Sequence, residues 1–305
     1  MTTHFQDLFM KLPIPLCWVA SDGVVLQMNK RFESVFGYSK KDMPILDCWW
    51  PLAYPDTSYR DWVRRTWNEA LALAEAEKRD IIPIEYRVRC KNQQTVTMEI
   101  SGITLGDGFL ATFIDVTERN AAQERVQHLA FYDSLTDLPN RRLLATRLEH
   151  LMAKLKRSQR CAALMVVDLD NFKPLNDRWG HAAGDQVLVE AARRMVNVVR
   201  AVDTVSRAGG DEFVVLLDEI DADAEHAARV AMDIARRLQT SLSAEFELSL
   251  DNLLARGACH RGSASIGVVL FDGRVARTES LFACADTAMY EVKRQGRNGV
   301  LMTRV

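Results

Sequence analysis

The stretch whose reading decides the fold is Thr204-Val205-Ser206-Arg207-Ala208-Gly209-Gly210-Asp211-Glu212-Phe213-Val214-Val215-Leu216-Leu217. Two strand-like runs, 204–207 and 212–217, flank a pair of glycines, so the segment reads as a hairpin with Asp211 and Glu212 at its tip. Lacking a Cβ, the glycines permit positive φ in a tight turn and let a phosphate-bearing ligand approach the backbone closely. Upstream, the continuous apolar run 162–167 reads as a buried strand, and it ends on Asp168. If that strand neighbours the hairpin, three carboxylates converge at one end of a sheet. Like charges ~4 Å apart repel by ~4 kcal/mol at an effective dielectric of ~20, so such a cluster calls for a cation or a shifted protonation. Oxygen-only donors suit a hard ion, and Mg²⁺ bridging carboxylates to substrate phosphates is the expected solution.

Outward from the hairpin, helical patterns at 138–156, 184–200, 222–240 and 280–294 alternate with strand patterns at 162–169, 263–269 and 299–302. That alternation predicts an α/β domain built on one sheet, with an irregular region at 243–262. The first half is patterned differently. A hairpin around Ser21-Asp22-Gly23 joins strands 16–20 and 24–28, helical segments cover 31–36 and 59–77, and strands 84–90, 95–103 and 108–114 follow as an antiparallel set. Between the halves, residues 117–132 are charged and helical, with Ala122, Val126, Leu129 and Ala130 tracing a narrow apolar stripe that allows the helix to pair with its copy. The expected architecture is two domains, α+β then α/β: residues 1–116, a connecting helix 117–132, and residues 133–305.

Composition agrees and removes whole classes of function. A chain of 305 residues suggests about two domains at ~150 residues each. With 26 % charged and 48 % hydrophobic residues it is a folded globular chain. Lys+Arg 39 against Asp+Glu 41 gives a net charge of -2, which supplies no field for a DNA or RNA partner. The longest apolar runs, such as 162–167, fall far short of the ~18 residues that span a bilayer, and no basic-then-apolar leader opens the chain, so a cytoplasmic location is expected. Cys17, Cys48, Cys90, Cys161, Cys259 and Cys284 are too far apart for a C-x-x-C pair, which argues against zinc and a disulfide framework.

The first half resembles a PAS domain, a sensory module of bacterial signalling proteins. The resemblance is carried by the early strand pair, Asn29-Lys30-Arg31-Phe32-Glu33, Phe36-Gly37-Tyr38-Ser39, and the exit Phe113-Ile114-Asp115-Val116-Thr117-Glu118-Arg119. Trp49, Trp50, Trp62 and Trp67 either line a ligand pocket or pack the core. His4 is the only histidine before the connecting helix and no flavin-reactive motif surrounds its cysteines, which disfavours haem and a flavin adduct. The PAS ligand stays unknown.

The second half resembles the GGDEF domain of diguanylate cyclases, named after the run seen here as Gly209-Gly210-Asp211-Glu212-Phe213. Further matches run in order from Asp133-Ser134-Leu135-Thr136-Asp137-Leu138-Pro139-Asn140-Arg141-Arg142, through Asp168-Leu169-Asp170-Asn171-Phe172-Lys173 and Gly180-His181-Ala182-Ala183-Gly184-Asp185, to Ser265-Ile266-Gly267 and Gly296-Arg297-Asn298. The resemblance implies a fold like the polymerase palm and nucleotidyl cyclases, and condensation of two GTP into cyclic di-GMP with release of two pyrophosphates by a homodimer. It implies Asp168, Asp211, Glu212 and the Leu169 carbonyl as ligands of Mg²⁺ or Mn²⁺, two ions per site, with Asp211, Glu212 and Lys173 catalytic. It further implies GTP contacts from Phe172, Lys173, Asn176, Asp185, Gly209, Gly210, Lys293 and Arg297. Asn176 and Asp185 would read guanine, because a carboxylate accepts from N1–H and N2–H₂, a donor pair that adenine lacks. Lys293 and Arg297, at i, i+4, would form one cationic helix face for the terminal phosphates.

Arg200-Ala201-Val202-Asp203 matches the family's inhibitory R-x-x-D site, where Arg200 and Asp203 would grip a guanine of the product, cyclic di-GMP. His181 reads as structural, bonding at a helix start, and Asp170 as a structural partner pointing away from Asp168. Glu69-Ala70-Leu71 spells the phosphodiesterase signature, yet a (β/α)₈ barrel needs ~250 residues and has no room here. The alternative function is an inactive receptor that binds GTP or cyclic di-GMP without turnover.

Overall fold

Two units, Met1–Arg125 and Val126–Val305, fold around separate cores, and the computed structural model describes residues 3–248, 258–275 and 277–305. In the first, helix α1 (Thr3–Lys11) precedes β1 (Leu16–Ala20) and β2 (Val25–Met28), which turn at Gly23. Helix α2 (Lys30–Phe36) starts on Asn29, whose side-chain oxygen accepts from Phe32 N and from Leu16 N; the cap therefore also pins β1. Helices α3 (Leu46–Ala53) and α4 (Thr57–Glu77) follow, then β3 (Ile81–Arg89), β4 (Thr95–Leu105) and β5 (Gly108–Asp115). The five strands form an antiparallel sheet in the order β2-β1-β5-β4-β3.

The core of this unit is aromatic. Phe32, Phe36, Trp49 and Phe113 pack with ring centroids 4.7 to 6.2 Å apart. Trp49, Trp50 and Trp67 are buried, whereas Trp62 lies at the surface, stacked on Tyr59. Glu69-Ala70-Leu71 falls in the middle of α4, where Ala70 packs into the core. Helix α5 (Thr117–Phe131) continues from the last strand.

The second unit runs α6 (Arg141–Ser158), β6 (Cys161–Leu169), α7 (Phe172–Trp179), α8 (His181–Val198), β7 (Thr204–Gly209), β8 (Glu212–Asp221), α9 (Ala224–Leu242), β9 (Glu245–Leu248), β10 (Ala258–Arg261), β11 (Ala264–Phe271), α10 (Thr278–Arg294) and β12 (Gly299–Arg304). Its main sheet has the order β12-β11-β6-β8-β7, with β11 and β12 parallel and every other pair antiparallel. Strand β6 is buried along its whole length because both faces are covered. Ala163, Met165 and Val167 join the core under α8 and α9, while Ala162, Leu164 and Val166 join the core under α6 and α10. That accounts for its uninterrupted apolar run.

Three helices were not anticipated. Helices α1 and α7 are short, and α3 and α7 each carry a proline, so none offers enough turns for a helical period to stand out. The irregular region 243–262 contributes β9 and β10, an antiparallel pair apart from the main sheet; its residues 249–257 lie outside the described residues.

Candidate active site

Strands β6 and β8 are neighbours, so Asp168 and Glu212 stand directly opposite each other in the ladder and share a face of the sheet. Gly209 pairs with Glu212, which leaves Gly210 and Asp211 as the two turn residues, after a bulge at Ala208. Gly209 and Gly210 hold φ of 149° and 53°, and a Cβ built on either would meet no atom within 4 Å. The turn therefore needs glycine for its backbone and leaves open space beside it.

Asp168 is 7 % exposed and takes Lys293 Nζ at 2.7 Å. Burial raises its proton affinity; Lys293 opposes the shift, while the charges of Asp211 and Asp170 add to it. Lysine reaches Asp168 because α10 lies hard against β11: a Cβ on Gly267 would sit 2.0 Å from Ala285 O and 2.4 Å from Met289 N. Asp170 is a structural anchor, accepting from Ser263 Oγ at 2.7 Å, Ser265 Oγ at 2.8 Å and Asn298 N at 3.1 Å.

Several expectations need correction. Among the described residues no three His, Cys, Asp or Glu side chains close into a metal cage. Glu212, across the ladder from Asp168, is exposed. The donor set still fits a hard divalent ion, since Mg²⁺ takes one or two carboxylates plus substrate phosphates rather than an all-protein cage. Asp168, pressed by burial and by Asp211, already needs the positive charge that Lys293 lends it. Arg297 does not share a helix face with Lys293. Helix α10 ends at Arg294, and Gly296, Arg297 and Asn298 all take positive φ as the chain turns into β12. His181 opens α8, but its side chain makes no hydrogen bond among the described residues.

Helices α7 and α8 form the second part of the site. Asn176 Oδ1 on α7 is buried with no partner. Opposite it, Gly184 on α8 comes so close that a Cβ would lie 2.0 Å from Asn176 Oδ1 and 3.1 Å from Phe172 Cζ. Asp185, the next residue, is exposed, and so is Lys173 on the first turn of α7, which has no ion-pair partner among the described residues.

Two residues with no role read from the sequence, Asp133 and Arg207, brace the hairpin. Arg207 donates from Nε at 3.0 Å and Nη2 at 2.8 Å to Gly210 O, and from Nη1 at 2.9 Å to Asp133 Oδ1. The signal for Asp133 lay within the quoted 133–142 motif; for Arg207, two residues before the glycines, only the structure supplies one.

A family model for the diguanylate cyclase GGDEF domain matches residues 130–299, and a PAS-fold model matches residues 25–108. The chain belongs to the diguanylate cyclase GGDEF-domain family. It is 40 % identical over 188 residues to MucR of Pseudomonas aeruginosa, described as a bifunctional diguanylate cyclase and cyclic di-GMP phosphodiesterase, covering 62 % of this chain and 26 % of MucR. The GGDEF domain of TpbB from Pseudomonas aeruginosa superposes with a TM-score of 0.51 at 37 % identity, over 56 % of this chain and 93 % of that one. The coiled coil and GGDEF domain of DgcB from Caulobacter crescentus, solved with c-di-GMP, gives a TM-score of 0.54 at 27 % identity, over 62 % and 93 %. The chain spans less than half the length of the curated relatives it matches.

Elsewhere in this GGDEF domain, the R-x-x-D residues form an internal bracket. Asp203 has a wholly buried side chain that accepts from Arg200 N, Nε and Nη2 and from Asp218 N. Its acceptors are thus already engaged, and the two-residue grip on guanine is not preformed. Arg200, half-exposed, also donates to Asp218 O at 2.7 Å. In the PAS unit, Trp49, Trp50 and Trp67 line a cavity of about 30 Å³ together with Cys17, Phe32 and Phe113. At ~10–15 Å³ per water this holds a couple of waters. Burial pushes the Cys17 thiol up to about 12, so it is an inert apolar wall. No helix among the described residues is long and apolar enough to cross a membrane.

Proposed function

We propose that this chain is a diguanylate cyclase: two GTP-loaded domains face each other, and each ribose 3′-hydroxyl attacks the α-phosphate of the opposite GTP in line. Two phosphodiester bonds form, two pyrophosphates leave, and cyclic di-GMP is the product. The observation that carries this reading is Asp168 at the strand end, under-neutralised by burial and by Asp211, beside an open two-glycine turn.

Asp168, Asp211 and the Leu169 carbonyl, with Glu212 across the ladder, would hold Mg²⁺ or Mn²⁺, two ions per site. Such ions would neutralise the phosphates and ease ionisation of the attacking hydroxyl. Lys293 would exchange Asp168 for the terminal phosphates once the site is loaded, with Arg297 approaching them from the turn rather than from the helix. Lys173 would contact the reacting phosphates, and Glu212 would accept the hydroxyl proton. Asn176 Oδ1 supplies a reason for guanine: a buried acceptor without a partner costs ~1–3 kcal/mol, and the guanine amine can relieve it. Phe172 would pack on the base, Asp185 would accept its N–H donors, and the carbonyl-pinned Gly209-Gly210 turn would lie along the triphosphate.

Product feedback would work through Arg200 alone, with Asp203 as its anchor. The PAS unit would regulate the cyclase through α5, whose exposed Val126 and Leu129 suit pairing with a second copy. A cytoplasmic location follows from where GTP is available. The deciding experiment is mass-resolved product analysis after incubation with GTP and Mg²⁺: cyclic di-GMP from the wild type and none from Asp211→Ala is the expected result. GTP bound but unconverted at every protein concentration would return the chain to the receptor reading.

A further inference from the structure

We infer that Arg207 is a positioning residue for the metal-binding turn, and that Asp133 clamps it; the inference rests on the cyclase reading of that turn. The Gly209-Gly210 backbone is intrinsically loose, because glycine has no Cβ to restrict it. Arg207 removes that freedom at one atom. Its Nε and Nη2 converge on Gly210 O at 3.0 and 2.8 Å. Because the peptide unit is planar, holding the Gly210 carbonyl also fixes the N–H and Cα of Asp211, which must present its carboxylate beside Asp168. A lysine could not do the same, since three N–H groups in a fixed plane are needed to serve Gly210 and Asp133 together.

The clamp is itself held on several sides. Asp133 Oδ1 accepts from Thr136 N at 2.9 Å, Thr136 Oγ1 at 2.7 Å and Arg207 Nη1 at 2.9 Å. Arg207 N donates to Pro139 O at 3.1 Å, so backbone and side chain of Arg207 both tie to the 133–140 turn. That turn is tied in its own right to the last turn of α5: Asn140 N donates to Phe131 O at 2.9 Å, Asn140 Nδ2 to Ala130 O at 3.0 Å, and His128 Nε2 meets Asp137 Oδ1 at 2.6 Å. An unbroken chain of hydrogen bonds therefore leads from α5 to the peptide that carries Asp211.

The test is Mn²⁺ uptake by the full chain, read by electron paramagnetic resonance in the presence of α,β-methylene GTP, beside turnover of GTP over a range of Mg²⁺. Partners behind metal ligands typically change metal affinity 10–100-fold, so Arg207→Lys is expected to weaken Mn²⁺ binding about tenfold. Turnover should recover at saturating Mg²⁺, which a merely structural lesion would not allow. Asp133→Asn, which keeps the Thr136 bonds, is expected to shift Mn²⁺ binding in the same direction by a smaller factor; it decides the matter if Arg207→Lys does not fold. Unchanged Mn²⁺ affinity in the folded variants, or turnover depressed equally at every Mg²⁺ concentration, would overturn the assignment. Failure of the wild type to take up Mn²⁺ with the analogue would instead overturn the cyclase reading, and this inference with it.

Discussion

Gly184 shows how a residue without a side chain can set the chemistry of a neighbour. A methyl group there would displace the Asn176 amide, the end of a side chain rather than backbone, so the fold can adjust at little cost. Gly184→Ala is therefore expected to leave thermal stability nearly unchanged while raising the KM for GTP about tenfold, the worth of one hydrogen bond of ~1.4 kcal/mol. Steady-state kinetics with a melting curve checks both halves. Asp168 makes the opposite case, a charge that the fold holds at its own expense. Its proton affinity is raised, so the native chain binds the proton more tightly than the unfolded one, and the metal-free protein loses stability as pH rises through the folded pKa. In EDTA, Asp168→Asn should match the wild type below the usual aspartate value of 3.8 and melt above it at neutral pH. It should also lose the stabilisation that Mg²⁺ with GTP is expected to give the wild type. A neutral-pH melting point below that of the wild type would refute the electrostatic account.

At the scale of elements, the strands were legible and the short helices were not. Strand β6 announces itself because nine consecutive buried positions leave no place for a polar residue before Asp168. Helix α7 carries Lys173 and Asn176, yet its eight residues give little more than two turns, too few for a helical period to stand out, even though Pro174 sits in the first turn where a helix tolerates it. The sequence therefore names the candidate residues but not their geometry: the position of Arg297 beyond α10 and the engagement of Asp203 both depend on where the chain turns. The R-x-x-D bracket yields a prediction of its own. Since Asp203 orients Arg200 and receives Asp218 N, Asp203→Asn should cost stability as well as feedback. Arg200→Ala should relieve inhibition by cyclic di-GMP with catalysis intact. Equal inhibition constants for Arg200→Ala and the wild type, measured by initial rates against added product, would exclude this bracket as the feedback site.

For the whole molecule, the proposed chemistry needs two domains, each presenting one GTP. A single site cannot close the ring. The rate of cyclic di-GMP formation should therefore rise faster than linearly with protein concentration until the dimer saturates, and a strictly linear dependence down to high dilution would mean that assembly is not limiting. The division of the chain was visible in the change of pattern from an antiparallel run of strands to strand–helix alternation. What fills the first unit was not, because the sequence leaves four tryptophans as packing, the favoured reading, or as pocket, and only the structure separates buried Trp49, Trp50 and Trp67 from surface Trp62.

Helix α5 is fastened at both ends. Its first turn is bound to the PAS sheet, where Thr117 Oγ1 accepts from Thr97 N at 2.8 Å and Arg119 Nη2 reaches Glu85 Oε1 at 2.9 Å. Its last turn is bound to the 133–140 segment that braces the Gly209-Gly210 hairpin. Under the proposed regulation through α5, helical phase would be the quantity that matters. Each residue added between the grips turns one end against the other by ~100°, so seven residues restore the phase to within ~20° whereas four leave it ~40° out. The proposed regulation by the PAS unit should survive a seven-residue insertion in the middle of α5 and be distorted by one of four, although the seven-residue insertion lengthens the helix more.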